Sequence, residues 1–244
     1  MSARKQHYGK CFLCGKSMTK GALTRHLKKH IAEYAPEEAA DLIWLRVEDQ
    51  HLPRYFWLDL EMPTATPLDF LDDFLRAIWL ECCGHLSHFI LGLGRKRIYY
   101  ERVPIGETFF WAEEYDMAEA TVGEIADQAQ KFEHEYDYGS TTALIVKVMS
   151  RHRGPKPPSP GWPVRILGRN YKPVVPCVVC GAPATHWDIS TGEFNAYCDA
   201  HTDHVEEEEF LLPIVNSPRS GVCAYTGTSE PELTFEEVYI PQKG

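Results

Sequence analysis

Long apolar runs are missing from this sequence. No stretch of the 244 residues approaches the roughly eighteen consecutive apolar residues that a transmembrane helix needs. The first thirty residues are basic and polar, without the apolar segment that secretory signals carry. We therefore expect a soluble protein of the cytoplasm.

Acidic residues are missing from the same N-terminal stretch. Residues 1–30 contain eight Lys or Arg and no Asp or Glu, a formal charge of +8, although the whole chain carries -10. Residues 31–244 must therefore sum to -18. This asymmetry indicates a basic arm for an anionic partner, joined to a body that would itself repel such a partner.

Cysteine, in contrast, is plentiful. Four of the eight cysteines stand in C-x-x-C pairs, at Cys11 and Cys14 and at Cys177 and Cys180, each followed downstream by His or Cys. In a reducing compartment thiols persist, so this pattern favours metal binding over a disulfide framework. We predict zinc as the metal, with two ions per chain.

The first metal motif is "CFLCGKSMTKGALTRHLKKH", which begins at Cys11. Cys11 and Cys14 suit a tight turn, and His26 and His30 are four residues apart, so both imidazoles lie on one face of a helix. A chain this short folds only when the metal binds. The spacing therefore predicts an N-terminal two-Cys, two-His zinc finger over residues 1–33.

Two interpretations of this finger remain open. It can stabilise the N-terminus by docking on the acidic body of its own chain. Alternatively, it can contact DNA or RNA through cations on and before the ligand-bearing helix. The predicted contact residues are Lys16, Lys20, Arg25, Lys28 and Lys29.

The second metal motif lies near the C-terminus and contains two pairs of ligands separated by seventeen residues. The predicted ligands are Cys177, Cys180, Cys198 and His201, with His186 and His204 as substitutes if one of them is misassigned. Four good ligands leave no open coordination position, so the pattern predicts a structural zinc site. We expect its loss to destabilise the body more than loss of the N-terminal site.

Hydrophobic periodicity predicts the elements between the two motifs. Residues 37–47 are predicted to form a short helix, and residues 55–62 a half-buried strand with alternating apolar and polar side chains. A longer helix is predicted from Thr66 to Cys82. A capping box between Thr121 and Glu124 predicts another helix, and "KFEHEY" and "TALIVKVM" beyond it predict a β-hairpin.

One further stretch, "WLECCGHLSHF", combines Cys and His at the end of the long helix. It can supply a thiolate nucleophile or hold another metal, whereas the helical phase of Cys82 indicates a core cysteine. The alternative is a hydrolase-like enzyme with a site between this stretch and "YDYGSTT", where Cys83, His85 and Asp137 would converge at a solvent-open pocket.

Several segments together resemble the plasmid pRiA4b open-reading-frame-three-like family, some members of which are labelled passenger proteins of insertion elements. The matching segments, between Tyr55 and Gly227, are "YFWLDLEMP", "LDDFLRAIWLECCGHLSHF", "FEHEYDYGSTT", "CVVCG" and "LPIVNSPRSGVCAYTG". The resemblance implies an α+β core with a curved sheet against helices.

The complete expectation is an α+β protein with a curved, mostly antiparallel sheet packed on helices, an N-terminal zinc finger and a C-terminal zinc-knuckle module. The predicted segments are 1–33 for the finger, 34–153 for the core, 154–163 for a Pro-rich linker and 164–244 for the knuckle module and tail. We predict a non-enzymatic adaptor of a prokaryotic mobile or accessory element. Its finger would contact nucleic acid, and its acidic body would contact a protein partner.

Overall fold

The computed structural model of the protein describes residues 7–34, 39–93, 96–102, 112–157, 161–190, 192 and 194–241. The chain divides into two compact units. The first combines Met1–Leu75 with Leu86–Asn170, and the second combines Arg76–His85 with Tyr171–Gly244. In the described residues, no helix combines the length and apolar character needed to cross a membrane.

One large sheet forms the framework of the first unit. Its strands are β1 (Tyr8–Cys11), β2 (Ser17–Thr19), β3 (Ala39–Asp49), β4 (Trp57–Pro63), β5 (Ser87–Leu93), β6 (Lys96–Glu101), β7 (Ala112–Asp116), β8 (Lys131–Tyr136), β9 (Thr142–Pro155) and β10 (Arg165–Asn170). They lie in the order β2-β1-β10-β4-β3-β9-β8-β5-β6-β7. Of these neighbours, β6 and β7 pair in parallel and the others pair antiparallel. The predicted α+β class with a mostly antiparallel sheet is confirmed.

In the described residues, three α-helices accompany this sheet: α1 (Lys20–Ala32), α2 (Leu68–Leu75) and α3 (Val122–Gln128). A 3-10 turn, Met117–Glu119, precedes α3. The capping box of α3 is confirmed, because the Thr121 hydroxyl accepts from the Glu124 N–H and the Glu124 carboxylate accepts from the Thr121 N–H. The predicted hairpin is also confirmed, as β8 and β9 pair antiparallel from Tyr136 opposite Thr142.

The prediction of a helix over residues 37–47 is wrong. The described part of this segment lies in β3, which pairs with β4 on one side and β9 on the other. Its apolar run, Leu42 to Val47, is buried on both faces of the sheet apart from a small exposed fraction of Arg46. A continuous apolar run fits a central strand as well as a helix, so periodicity alone could not separate them.

The strand predicted from residue 55 is present as β4, but it is fully rather than half buried. Its polar side chains, Asp59 and Glu61, have no exposed surface. Asp59 accepts hydrogen bonds from Trp44 Nε1 at 2.7 Å and from the Arg46 guanidinium at 2.8 and 3.0 Å. These partners offset the cost of burying a charge, which is why the polar face of β4 can lie inside the protein.

The second unit is built on a smaller sheet. Its three strands, β11 (His186–Asp188), β12 (Asn195–Tyr197) and β13 (Leu211–Pro213), pair antiparallel in the order β12-β11-β13. Two short 3-10 turns, Asp199–His204 and Glu208–Phe210, lie between β12 and β13, and a third, Pro231–Leu233, lies after β13. The unit also contains the π-helical turn Arg76–Leu80, which continues the chain from α2.

The N-terminal finger is part of the large sheet. Strand β1 pairs with β10, from Gly9 opposite Asn170 to Cys11 opposite Gly168. The inner face of α1 contributes Leu23 and Leu27, and both belong to one buried cluster with Cys11, Trp44, Trp57 and Leu167. The finger therefore shares its hydrophobic core with the sheet.

Two glycines permit this close approach. A Cβ atom on Gly9 would lie 2.3 Å from the Trp57 ring, and one on Gly168 would lie 2.6 Å from Leu23. Both distances are far below normal van der Waals contact, so side chains at these positions would separate β1 and α1 from the sheet.

Candidate metal centres

The first predicted ligand set comes together at the end of β1 and on α1. Cys11 ends β1 and Cys14 lies in the turn that leads to β2. Gly15 takes φ +74° there, and its N–H donates to the Cys11 carbonyl at 2.8 Å. The positive φ explains the glycine, because it closes the turn and directs both thiols to the same side.

The two histidines meet these thiols from the helix. His26 and His30 are one turn apart on α1, with their Nε2 atoms 3.0 Å apart, and His26 Nε2 lies 3.1 Å from Cys14 Sγ. All four ligand atoms lie within 4.8 Å of one another. Burial lowers the pKa of His26, with the charge of His30 acting in the same direction. The neutral form that a metal requires is therefore favoured.

The second predicted ligand set is assembled by a knuckle and a strand end. Gly181 takes φ +74°, and its N–H donates to the Cys177 carbonyl at 2.9 Å, as Gly15 does to Cys11. Cys198 follows β12, and the His201 N–H donates to the Cys198 carbonyl at 2.8 Å. The connection between the two ligand pairs contains the β11–β12 hairpin, which explains how ligands so far apart in sequence converge.

The distances in this second set also suit one ion. Cys180 and Cys198 have their sulfurs 3.7 Å apart, and His201 Nδ1 lies 3.8 Å from Cys177 Sγ and 3.1 Å from Cys198 Sγ. Burial raises the pKa of Cys177, but backbone N–H groups of Cys180, Cys198 and Val179 lower it to about 6. The thiolate form needed for metal binding is therefore accessible near neutral pH.

The two substitute histidines lie elsewhere. His186 Nδ1 lies 3.0 Å from the Thr185 hydroxyl and 3.7 Å from the Asp199 carboxylate, and the His204 ring stacks on Tyr197. His201 is therefore the histidine that the structure groups with the three cysteines.

In both sets the distances between the ligand atoms suit a bound metal ion. With zinc–sulfur bonds of about 2.3 Å and zinc–nitrogen bonds of 2.0–2.1 Å, a tetrahedral site separates its ligand atoms by roughly 3.3–3.8 Å. The ligand separations given above, 3.0–3.8 Å, fall in or slightly below this range. Both sets could hold a metal ion, and their Cys and His donors are those that zinc prefers.

The predicted cationic residues fall into two groups. Lys16, Arg25, Lys28 and Lys29 are exposed. Lys20 instead lies 2.7 Å from the Glu48 carboxylate and donates to the Pro53 carbonyl at 2.6 Å. Burial lowers the pKa of Lys20, although the contact with Glu48 opposes this effect. Lys20 therefore has an acidic partner within its own chain. Two further cations of residues 1–30, Arg4 and Lys5, lie outside the described residues.

The stretch considered for catalysis shows a different arrangement. Asp137 takes φ +66°, and its carboxylate accepts from the Gly139 and Ser140 N–H groups at 3.0 and 3.2 Å. These bonds are those of a tight turn. Cys83 and His85 belong to the second unit, where they form a third Cys/His group with Cys82 and Cys223.

The sequence indicated a further metal at the "WLECCGHLSHF" stretch as one alternative, but it did not indicate that Cys223 joins the group. The prediction of Cys82 as a core cysteine is wrong, since its side chain is partly exposed and its sulfur lies 3.5 Å from Cys83 Sγ. Cys223 received no role from its sequence context. The number of cysteines could have indicated it. The two predicted sets use five of the eight cysteines, and the remaining three all lie in this group.

Comparisons with known proteins add little to this description. No protein-family model matches the chain, and no curated protein matches it. Three chains of solved structures match, among them the crystal structure of a protein of unknown function from Methanosarcina mazei Go1. That match has 12% sequence identity and a TM-score of 0.39, and it covers 50% of this chain and 66% of the other.

Proposed function

We propose that this protein is a zinc-stabilised, non-enzymatic adaptor that contacts nucleic acid through the outer face of α1. One observation carries the proposal. Arg25, Lys28 and Lys29, at positions i, i+3 and i+4, are exposed on one face of the helix, while Leu23 and Leu27 are buried on the opposite face. The helix thus docks with one side and presents a row of cations with the other.

The two interpretations of the finger are compatible in this arrangement. The apolar face accounts for docking on the sheet, and the cationic face remains available for an anionic partner. In the described part of the chain, Lys16, Arg25, Lys28 and Lys29 form no ion pair with an acidic side chain. Four of the five predicted contact residues therefore support the proposal, and Lys20 does not.

Zinc would set the orientation of this surface. His26 and His30 lie on the same helix as the three cations, so a bound ion would connect the helix to the Cys11–Cys14 turn. The proposal assigns one zinc to this set and one to Cys177, Cys180, Cys198 and His201. Both are structural, because each set supplies four ligands.

We further propose that the acidic body contacts a protein partner. Glu206 to Glu209 form an exposed acidic run in the second unit, which suits a basic protein partner.

The resemblance to the pRiA4b open-reading-frame-three-like family supports a role in a prokaryotic mobile or accessory element. The rival enzymatic hypothesis has less support, because the Asp137 carboxylate is engaged in its own turn.

Binding to nucleic acid should depend on Lys28 and Lys29. We expect the full chain to bind a short DNA duplex with a Kd of about 10⁻⁴ to 10⁻⁶ M at physiological salt. Lys28→Ala with Lys29→Ala should weaken this binding and flatten the plot of log K against log salt by about 1.8, since each phosphate contact contributes about 0.9. Fluorescence anisotropy across a salt series measures both quantities, with single-stranded DNA and RNA as parallel probes.

A matched control separates a local contact from net charge. Lys131 and Lys156 are also exposed lysines without a described ion pair, and they lie away from the finger in the sequence. Lys131→Ala with Lys156→Ala changes the net charge equally and should leave the salt slope unchanged. Equal weakening by both double variants, or no binding of any probe at low salt, would contradict the proposal.

A further inference from the structure

The third Cys/His group lies in the second unit, on two segments far apart in sequence. Cys82, Cys83 and His85 follow the π-helical turn Arg76–Leu80, and Cys223 lies 138 residues beyond His85. The Ser217 hydroxyl donates to the Trp79 carbonyl at 2.6 Å and holds these two segments together. The group is thus positioned by ordered structure on both sides.

Its ligand atoms have the separations of a metal site. Cys83 Sγ lies 3.5 Å from both Cys82 Sγ and Cys223 Sγ. His85 Nε2 lies 3.6 Å from Cys223 Sγ and 3.0 Å from Cys83 Sγ. Three of these four distances fall in the tetrahedral range of roughly 3.3–3.8 Å. The fourth, 3.0 Å, lies close to the shortest sulfur–nitrogen distances in the two predicted sets, which are both 3.1 Å.

The backbone at this group repeats a feature of the two predicted sets. In each set one cysteine is followed directly by a glycine with positive φ: Cys14–Gly15 at +74°, Cys180–Gly181 at +74° and Cys83–Gly84 at +75°. Cys223 itself takes φ +55°, a conformation that non-glycine residues rarely adopt. Such strain persists where the surroundings require it, and it commonly marks a functional position.

A compensating charge is also present. The Arg219 guanidinium donates to Cys82 Sγ at 3.4 Å, and Arg219 has no exposed surface. Three thiolates around a divalent ion leave one net negative charge, which a buried guanidinium balances. Such outer partners orient metal ligands and stabilise the ligand charge.

We propose that Cys82, Cys83, His85 and Cys223 bind a third zinc ion. Three thiolates and one imidazole favour zinc over harder divalent ions, and four protein ligands make the site structural. The ion cross-links the segment after the π-helical turn to the loop that contains Cys223. None of the three cysteines in this group is buried, whereas each of the other two sets contains one buried cysteine, Cys11 or Cys177, so a chelator should remove this ion before it removes the other two.

Metal content of the full chain tests the proposal. Protein purified under reducing conditions and analysed by native mass spectrometry should carry about three zinc ions, and Cys223→Ser should carry about two. Ala224→Ser adds the same hydroxyl at the neighbouring exposed position and should keep all three. Unchanged zinc content in Cys223→Ser, at any starting number, would overturn the third site.

Thiol labelling of the unaltered protein provides an independent test that needs no folded variant. Cys83 and Cys223 should react slowly with an alkylating reagent until a chelator is added, and then react at least tenfold faster. Equal rates with and without chelator would overturn the proposal. Neither measurement depends on nucleic-acid binding, so the two proposals can fail separately.

Discussion

Replacing Cys11 by Ser is expected to lower the free energy of unfolding of the first unit by about 3–5 kcal/mol, because the metal and its link between β1 and α1 are lost. Cys11 has no exposed surface and belongs to the same buried cluster as Trp44 and Trp57. For a unit of this size the melting temperature should fall by roughly 6–20 °C. Differential scanning calorimetry with and without a chelator measures the change.

This expectation differs from the one made from sequence, in which the C-terminal site mattered more. The structure changes it because β1 pairs with β10 and α1 shares its core with the sheet. Lys28→Ala, on the exposed face of the same finger, is the control and should stay within about 0.5 kcal/mol. If Cys11→Ser loses its metal while the main transition stays in place, the finger folds independently of the sheet.

Replacing Asp72 by Asn should also cost about 3–5 kcal/mol, since it removes one partner from a buried charged network. Asp72 is fully buried, and its carboxylate lies 2.7 Å from His134 Nε2 and 2.6 Å from Arg102 Nη2. Asp73 is the matched control: it contacts the same Arg102 at 2.6 Å but is 45% exposed. Asp73→Asn should cost less than about 1 kcal/mol, because solvent screens exposed pairs. Urea unfolding at neutral pH compares the two, and equal losses would contradict the assigned role of burial.

The stabilising contribution of the Asp72 carboxylate should also depend on pH. Burial acts to raise the pKa of Asp72, but the hydrogen bond and charge of His134, together with Arg102, lower it to about 2. Because the folded pKa lies below the unfolded value of about 3.9, this contribution is complete only above about pH 5 and is lost as pH falls through about 2. Its size is about 2–3 kcal/mol. Asp72→Asn should therefore show a flatter loss of stability between pH 4 and pH 2 than the unaltered chain.

The sequence predicted features that depend on neighbours along the chain. The grouping of Cys11, Cys14, His26 and His30 follows from a turn and a helical repeat, and the α3 capping box follows from a spacing of three residues. The α+β class also followed, because strand and helix periods are local properties of the sequence. These elements needed no knowledge of the tertiary structure.

Features that depend on distant contacts were missed. The helix predicted over residues 37–47 is a strand because β4 and β9 pair with it on both sides. Cys223 joins His85 across 138 residues, and no local spacing indicates that pairing. The ion pair between Lys20 of α1 and Glu48 of β3 likewise has no signal in the local sequence. Each of these features is set by a contact between residues far apart in the sequence, which the local pattern does not encode.

The pairing of β1 with β10 has a consequence for synthesis on the ribosome. The finger motif is complete by residue 30, whereas its partner strand ends at Asn170, 140 residues later. At about 5–20 residues per second, the finger waits roughly 7–28 seconds for that strand. During this interval Leu23 and Leu27 have no sheet to cover them, so early metal capture would hold the nascent finger in its final shape until β10 emerges.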